Sequence, residues 1–314
     1  MTDKFIIRGK LMTKKVAVLN TKGGCGKSVI SNFILPFYFA KSDENGIINE
    51  NQNITLIEFE ATNKSRESKY TNSIIKYINN NLVDKQETKK LISKFSIDEE
   101  ACVIIDSGGG RDSLRVIGDF KEANGALEDF VFVLPFKLDD DSFDGAVDIY
   151  RRLLKEDDEA KVVFVVNEMK YPYDESGEPY KEFLSDEDVF EALSRAKINT
   201  DDILKNENVR LSYIPQMPEL LPEALPLMEG CCLDMCFAFF NGESASMQRK
   251  KLKEATKKKK VPQEKKEEFY INGMQEIARK GDLYRILHYS KPFYKAIDSL
   301  GGNRYPDKEA ENEK

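Results

Sequence analysis

The sequence predicts an α/β fold with a mostly parallel, twisted sheet that helices cover on both faces. Six short runs rich in β-branched and aromatic residues recur between residues 15 and about 240, without polar alternation. Strands of that kind are buried on both faces, as in a parallel sheet. Helix-compatible stretches separate the runs, which is the alternation typical of βαβ units. A glycine-rich turn joins the first run to the first helix-compatible stretch.

The predicted strands can be placed in order along the chain. They are "KVAVLN" (15–20), "ITLIEFE" (54–60), "ACVIID" (101–106), "FVFVLPF" (130–136), "KVVFVVN" (161–167) and "VRLSYIP" (209–215).

Helices and insertions fill the intervals between the strands. "SVISNFILPFYFA" reads as an apolar helix that Pro36 should kink. A polar helical region is expected from the second strand to about residue 95, and "SDEDVFEALSRA" (185–196) has a helix start at Ser185. Polar insertions at 41–53 and 171–183 interrupt the pattern. Their roles, and that of the longer 168–208 stretch, stay open.

Composition bounds the class of protein. Charged residues make up 33% of the 314 residues, and the mean hydropathy is −0.52. No apolar run approaches the ~20 residues that span a bilayer, and the N-terminus lacks a signal-peptide core. We therefore expect a cytoplasmic protein. Its expected parts are a leader (1–14, with Met12 a possible start), a main domain (15–240), a basic then helical C-terminal extension (241–300) and a flexible tail (301–314).

The five cysteines fit a reducing compartment. Cys25 lies in the glycine-rich turn and Cys102 in an apolar run, while three more cluster in "GCCLDMC" (230–236). The cluster lacks C-x-x-C spacing, and His288, the single histidine, is distant in sequence. An apolar buried role for Cys231, Cys232 and Cys236 is favoured over a metal or redox site.

The stretch "NTKGGCGKSVI" (20–30) has the context of a phosphate-binding loop; residues 20–28 are called the Lys-Gly loop here. It departs from G-x-x-x-x-G-K-[ST] because Thr21 stands where that pattern has glycine. Its glycines allow consecutive backbone N–H groups to face phosphate oxygens at a helix N-terminus. Lys27 would reach the β- and γ-phosphates, and the Ser28 hydroxyl would bind Mg²⁺. The expected nucleotide-binding residues are Gly23, Gly24, Cys25, Gly26, Lys27, Ser28 and Val29.

"KGGCGKS" resembles the deviant Walker A motif K-G-G-x-G-K-[ST] of the ParA/MinD ATPases, and the chain is most similar to ParA-like partition ATPases. The similarity covers about residues 15–225. It implies a P-loop NTPase fold, ATP and Mg²⁺ as cofactors, and a homodimer in the ATP state. By the same resemblance, Lys22 would cross the dimer interface to the partner's phosphates, as an arginine finger does.

"CVIIDSGGG" (102–110) ends an apolar strand at Asp106. The resemblance implies that Asp106 is the Walker B carboxylate, which holds Mg²⁺ through water. Gly108 to Gly110, called the triglycine loop here, would approach the γ-phosphate as a switch. The family more often has D-T-P-P at this place. The alternative is that Asp106 only caps the next helix.

"LIEFEATNKS" (56–65) falls where the family has D-x-D-P-Q, and it carries Glu58 and Glu60 instead of aspartates. The resemblance implies that Glu60 orients the attacking water, or that both residues, Glu58 above all, engage Mg²⁺ through water. Glutamate reaches about one methylene further, and errors of ~1 Å in position can cost ~100-fold in rate. Hydrolysis is therefore expected to be slow or to place its water differently.

Two further positions correspond to the family's adenine side. Asn167 ends the fifth predicted strand, where the family has an asparagine that reads the adenine edge. Pro215 begins a segment, "PQMPELLPEAL", that resembles the loop making main-chain contacts to the base. An asparagine at a strand end is also a common turn former, so that reading of Asn167 stays open.

Positive charge is concentrated in one segment of an acidic chain. Between Arg249 and Lys266 there are ten Lys or Arg and two Glu, a net charge of +8, whereas the whole chain carries −7. Such a segment indicates a local anion-binding surface, and no aromatic residue interleaves with its lysines. Since ParA-type proteins bind DNA non-specifically through C-terminal basic residues, double-stranded DNA is the expected partner. The alternative is a solvated helix face or linker. The expected DNA-binding residues are Arg249, Lys250, Lys251, Lys253, Lys257, Lys258, Lys259 and Lys260.

Together these features predict an ATPase that dimerises around ATP, binds DNA, is nucleoid-associated in that state, and is reset by a ParB-like stimulatory partner. Partition of a plasmid or similar element is the expected setting. A MinD-like membrane switch is disfavoured by the polar, acidic C-terminus. Iron-protein and tail-anchor ATPases need paired cysteines that this chain lacks, and ligases of the dethiobiotin synthetase type use a more ordinary loop. Transport of another cargo (a conjugation complex or protein cluster) and a weakly hydrolysing scaffold stay open.

Overall fold

A computed structural model of the protein describes residues 15–40, 53–59, 75–80, 85–98, 101–123, 126–170, 183–216, 245–258 and 262–301. The predicted leader, Glu60, Lys259, Lys260 and the cysteine cluster at 231–236 lie outside the described residues.

The sheet has seven strands, and all the strand pairs in it are parallel. Its order is β3-β2-β4-β1-β5-β6-β7. The strands are β1 (Lys15–Val18), β2 (Ile54–Phe59), β3 (Ile75–Asn80), β4 (Cys102–Ser107), β5 (Val131–Phe136), β6 (Lys161–Met169) and β7 (Val209–Pro215). The predicted α/β class with a parallel sheet is confirmed.

The described helices flank this sheet and continue beyond it. They are α1 (Lys27–Val29), α2 (Leu35–Ala40), α3 (Lys85–Ile97), α4 (Arg111–Glu122), α5 (Asp140–Glu156), α6 (Asp186–Arg195), α7 (Ala245–Lys258), α8 (Gln263–Tyr289) and α9 (Lys291–Gly301). In the part of the chain that the structure describes, no helix is both long and apolar enough to cross a membrane.

The prediction of a polar helical region up to residue 95 is wrong at residues 75–80, and residues 60–74 lie outside the described residues. Residues Ile75–Asn80 form the edge strand β3, which pairs with β2, and the helix begins only at Lys85. An edge strand has a neighbour on one side only, and of the side chains described in β3 only Tyr77 is buried. Without a continuous apolar run, the segment lacked the pattern that marks a doubly buried strand.

The irregularity expected at Pro36 takes the form of a π-helical segment. Residues Ile30–Ile34 join α1 to α2, and the Leu35 N–H donates to the carbonyl of Ile30. Pro36 has no N–H to donate, so the α-helical hydrogen-bond ladder cannot run through it unchanged. The chain from Lys27 to Ala40 nevertheless stays helical.

Two buried layers lie on opposite faces of the sheet. One holds Val16 and Val18 with the side chains of the π-helical segment and α2, and the other holds Ala17 and Leu19 with those of α3, α4, α5 and α6. The first layer also takes up Leu287, Phe293 and Ile297 from the C-terminal helices. The end of α8 and all of α9 therefore share a core with the first strand and helix.

Candidate functional site

The carboxyl ends of three neighbouring strands bring two acidic residues together. Val18 of β1 pairs with Asp106 of β4, and Asp106 pairs with Glu58 of β2. Paired residues of parallel strands point to the same face, and this parity places both carboxylates on the face that α1 and α2 cover. Strand ends at such an edge are where open α/β sheets bind ligands.

The Lys-Gly loop turns from β1 into α1 through left-handed backbone conformations. Gly24 has φ 73° and Gly26 has φ 98°, and Gly26 is the N-cap of α1. A Cβ on Gly26 would lie 2.1 Å from Nδ2 of Asn167. Both conformation and space therefore require glycine at position 26.

Lys27 folds back under the loop that precedes it. Lys27 is only 7% exposed, and its Nζ donates to the carbonyl of Lys22 at 3.0 Å. The Cys25 thiol donates to the same carbonyl at 3.3 Å, and Lys27 Nζ lies 4.0 Å from its sulfur. Burial raises the pKa of the Cys25 thiol, against the opposing effect of Lys27. The loop thus encloses a cation beside a neutral thiol.

Lys22, the other lysine of the loop, points outward. Its ammonium is 2.8 Å from Oδ2 of Asp141, in the first turn of α5, and its side chain is 49% exposed. The hydrogen bond and charge of Asp141 raise the pKa of Lys22, and those of Lys22 lower the pKa of Asp141. The two loop lysines therefore have different environments, one enclosed and one held at the surface.

The triglycine loop packs directly on the Lys-Gly loop. A Cβ on Gly109 would lie 3.5 Å from Cα and N of Gly23, and the Gly110 N–H donates to the carbonyl of Thr21. The Gly108 N–H donates to the carbonyl of Phe59, at the end of β2, at 2.8 Å. The segments that follow β1, β2 and β4 therefore meet at this point.

The predicted metal ligands are only partly brought together. Asp106 is 2% exposed, and Glu58 beside it accepts a hydrogen bond from the Tyr77 hydroxyl. Ser28 is exposed at the start of α1. Among the described residues, no group of three or more His, Cys, Asp or Glu side chains is placed to hold a metal ion.

Asn167 lies on the Lys-Gly loop because of a bulge in β6. The register of β6 against β7 shifts between Val166 and Met169, and Glu168 has φ 62°. Bulges of this kind redirect side chains. Nδ2 of the buried Asn167 donates to the carbonyl of Cys25 at 3.1 Å. Pro215, the other predicted adenine-side residue, ends β7 beside Met169, and Gln216 N–H donates to the Met169 carbonyl.

Asn20 is a site residue that the sequence analysis missed. Its fully buried amide donates to the carbonyls of Pro135 (2.7 Å) and Ser142 (3.0 Å), and its Oδ1 accepts from the Lys22 N–H (2.7 Å). A Cβ on Gly145 of α5 would lie 2.5 Å from that Oδ1. The signals in the sequence were an asparagine at a strand end and a glycine inside an amphipathic helix.

The basic segment is displayed on a helix. All six of its predicted DNA-binding residues that the structure describes are exposed on α7, and they are Arg249, Lys250, Lys251, Lys253, Lys257 and Lys258. A Cβ on Gly273 of α8 would lie 2.6 Å from Cδ1 of Leu252. The absence of a side chain at Gly273 therefore lets α7 and α8 pack closely as a helical hairpin.

Comparison with models of known protein families gave no match, and comparison with curated proteins gave none either.

Proposed function

We propose that the protein is an ATP-binding, ATP-hydrolysing P-loop protein of the ParA type that dimerises around the nucleotide. One observation carries the proposal: the Lys-Gly loop encloses the ammonium of Lys27 at the start of α1. An ammonium held at a loop carbonyl in a buried position is a ready partner for an anion, because burial without one is costly. Phosphate oxygens satisfy this cation and the N–H groups of the loop together.

The residues around the loop fit ATP with Mg²⁺. Lys27 would hold the β- and γ-phosphates, and the Ser28 hydroxyl and the Asp106 carboxylate offer the hard oxygen ligands that Mg²⁺ prefers. When bound, the ion would offset the charge of the phosphates. Asn167 would approach the nucleotide from β6, since it already contacts the loop at Cys25. The ATP itself would complete a coordination shell that the side chains alone do not form.

The position of Lys22 supports the proposed dimer. Its partner Asp141 is 77% exposed, and ion pairs between exposed side chains are weak. A phosphate of the partner's nucleotide would be a stronger acceptor than this single carboxylate. In this proposal Lys22 exchanges Asp141 for that phosphate when two subunits meet.

The proposed cargo-positioning activity rests on the basic helix. In the ATP state the dimer would bind double-stranded DNA non-specifically through α7, in the cytoplasm and on the nucleoid. A ParB-like partner would stimulate hydrolysis, and a plasmid or similar element would be the cargo. The exposure of the six described cations on one helix supports this, because non-specific DNA binding depends on summed phosphate contacts.

A second candidate is a nucleotide-binding scaffold that hydrolyses ATP weakly. The observation that favours it is the hydrogen bond from the Tyr77 hydroxyl to the Glu58 carboxylate. Glu58 engaged in this way has less capacity to act on Mg²⁺ or on its water. The two candidates share nucleotide binding and differ in the rate of turnover.

Nucleotide binding to the wild type and to Lys27→Ala tests the proposal. Titration with ATP and Mg²⁺ should show binding that Lys27→Ala abolishes, because the enclosed cation is lost. Lys121→Ala, which removes an exposed lysine paired with Glu156, is the matched control and should bind as the wild type does. Micromolar or tighter ATP affinity in Lys27→Ala would refute the site.

The DNA part of the proposal is tested separately. A gel shift over a range of salt concentrations, with ATP, with ADP and without nucleotide, should show DNA binding with ATP only. DNA binding that does not depend on the nucleotide, or no DNA binding in any state, would favour the scaffold or another cargo.

A further inference from the structure

Ser113 lies at the point where the two glycine-containing loops meet. It is the third residue of α4 and is fully buried. Its Oγ is 3.0 Å from the carbonyl of Asn20, 2.9 Å from the carbonyl of Gly108 and 2.7 Å from Oγ of Ser107. The Asn20 N–H also donates to it, at 3.3 Å. One hydroxyl therefore contacts the first residue of the Lys-Gly loop and the first residue of the triglycine loop.

Around Ser113 there are fewer hydroxyl protons than oxygen atoms that could accept them. Ser113 and Ser107 have one hydroxyl proton each. Three carbonyls lie within reach, since the Ser107 hydroxyl also has the carbonyl of Val18 at 3.2 Å. At any moment the Ser113 proton serves Asn20, Gly108 or the Ser107 oxygen, so the Asn20 and Gly108 carbonyls compete for it. Ser113 and Asn20 are fully buried, whereas Gly108 is partly exposed, so an arrangement that turns the Ser113 proton to Gly108 leaves the buried Asn20 carbonyl less well satisfied.

The same residues connect to the lysine that faces outward. The Asn20 side chain accepts from the Lys22 N–H, and the Gly110 N–H donates to the Thr21 carbonyl. A shift of Gly108 away from Ser113 would free its proton for Asn20, at the base of the segment that carries Lys22. The position of the triglycine loop is thus linked to the conformation of the Lys-Gly loop through one hydroxyl.

We propose that Ser113 is a positioning residue that couples the triglycine loop to the Lys-Gly loop, so that the protein discriminates ATP from ADP. This inference rests on the proposed function, in which the triglycine loop faces the γ-phosphate. Ser113 touches no nucleotide; it acts through Asn20 and Gly108. Removal of its hydroxyl should leave the enclosed Lys27, and hence ADP binding, in place.

The test compares the wild type with Ser113→Ala and with Ser290→Ala. Ser290 is also fully buried, and among the described residues its hydroxyl donates to the Ile286 carbonyl, one turn earlier, at 2.8 Å. Affinities for ATP and for ADP are measured by titration, and amide exchange without nucleotide is measured over residues 19–28 and 105–113. Ser113→Ala should lower the ratio of ATP to ADP affinity about tenfold, the usual effect of unsatisfying a buried hydrogen-bonding group. It should also speed exchange in both peptides, whereas Ser290→Ala should change neither.

The outcomes separate the two proposals. An unchanged affinity ratio in folded Ser113→Ala, or faster exchange in only one of the two peptides, overturns the coupling and leaves the ATPase proposal standing. A wild type that binds neither nucleotide overturns both. Should Ser113→Ala not fold, Ser113→Cys keeps a similar volume and a weaker donor. A ratio of ATP to ADP affinity below the wild-type value in Ser113→Cys then supports the coupling, and a wild-type ratio overturns it.

Discussion

The Lys-Gly loop and the basic hairpin of α7 and α8 are the two regions to which the proposed function assigns anion recognition, and they are built differently. Around the loop, single atoms are placed by specific contacts: Asn167 donates to Cys25, Asn20 accepts from Lys22, and Gly109 lies against Gly23. On α7 the cations are exposed to solvent, and Leu252 packs closely against α8 at Gly273. The loop should therefore be intolerant of single changes, whereas the hairpin should respond to its summed charge.

The largest effect is expected from Gly26→Ala. A left-handed φ and a clash with Asn167 should together lower the free energy of unfolding by about 1–3 kcal/mol, and ATP binding should be lost. Gly118→Ala is the matched control, because Gly118 lies inside α4 with no atom within 4 Å of a new Cβ. It should raise stability by about 0.5–1 kcal/mol. Urea denaturation and ATP titration measure both, and a Gly26→Ala protein as stable as the wild type would contradict the difference between the two regions.

Lys22→Ala should give the next largest effect, on assembly rather than on folding. Lys22 is exposed, so its removal should leave stability and the ATP affinity of the monomer nearly unchanged. In the proposed function Lys22 contacts the partner's nucleotide, so its removal should abolish the ATP-dependent dimer. Sedimentation velocity with ATP and with ADP checks this. A dimer that persists in Lys22→Ala would place the trans contact elsewhere.

Charge reversal on α7 should have a graded effect. Replacing both Lys257 and Lys258 by Glu should weaken DNA binding and reduce the slope of log affinity against log salt by up to about 2, since each phosphate contact contributes about 0.9. Lys205→Glu, an exposed lysine on another part of the surface, should leave the slope unchanged. A double variant with wild-type DNA affinity would show that α7 is only a solvated helix.

Asp141→Asn should have the smallest effect on stability. The bond to Lys22 is retained only while Asp141 is ionised and Lys22 is protonated. Because the pKa of Asp141 is lowered and that of Lys22 is raised, the stabilisation is present between about pH 4 and pH 10 and is lost as pH falls or rises beyond that window. Both groups are exposed, so the thermal midpoint of the variant at pH 7 should match that of the wild type within error. A clear loss of stability would show that the pair holds α5 in place.

The amino-acid sequence predicted the features that depend on local pattern. Continuous apolar runs predict buried strands, and the six predicted strands are present in the sheet. The glycines of the loop allowed unusual backbone conformations to be predicted there, and Gly24 and Gly26 have the left-handed conformation that glycine adopts without strain. The exposure of the α7 cations follows from their charge. The edge strand β3 escaped prediction because a strand with one neighbour does not need a doubly buried pattern.

Only the tertiary structure decided which groups meet at the candidate site. Asn167 reaches Cys25 across 142 residues, Lys22 reaches Asp141 across 119, and Ser113 reaches Asn20 across 93. Such contacts depend on strand order, on a bulge in β6 and on how closely α4 and α5 approach the sheet. A local pattern carries information about backbone conformation and burial, whereas the partner of a buried polar group is set by the register and packing of segments distant in sequence. For this protein the sequence alone determined the parallel sheet and its glycine-rich turn, and the assembled fold determined how that turn is held.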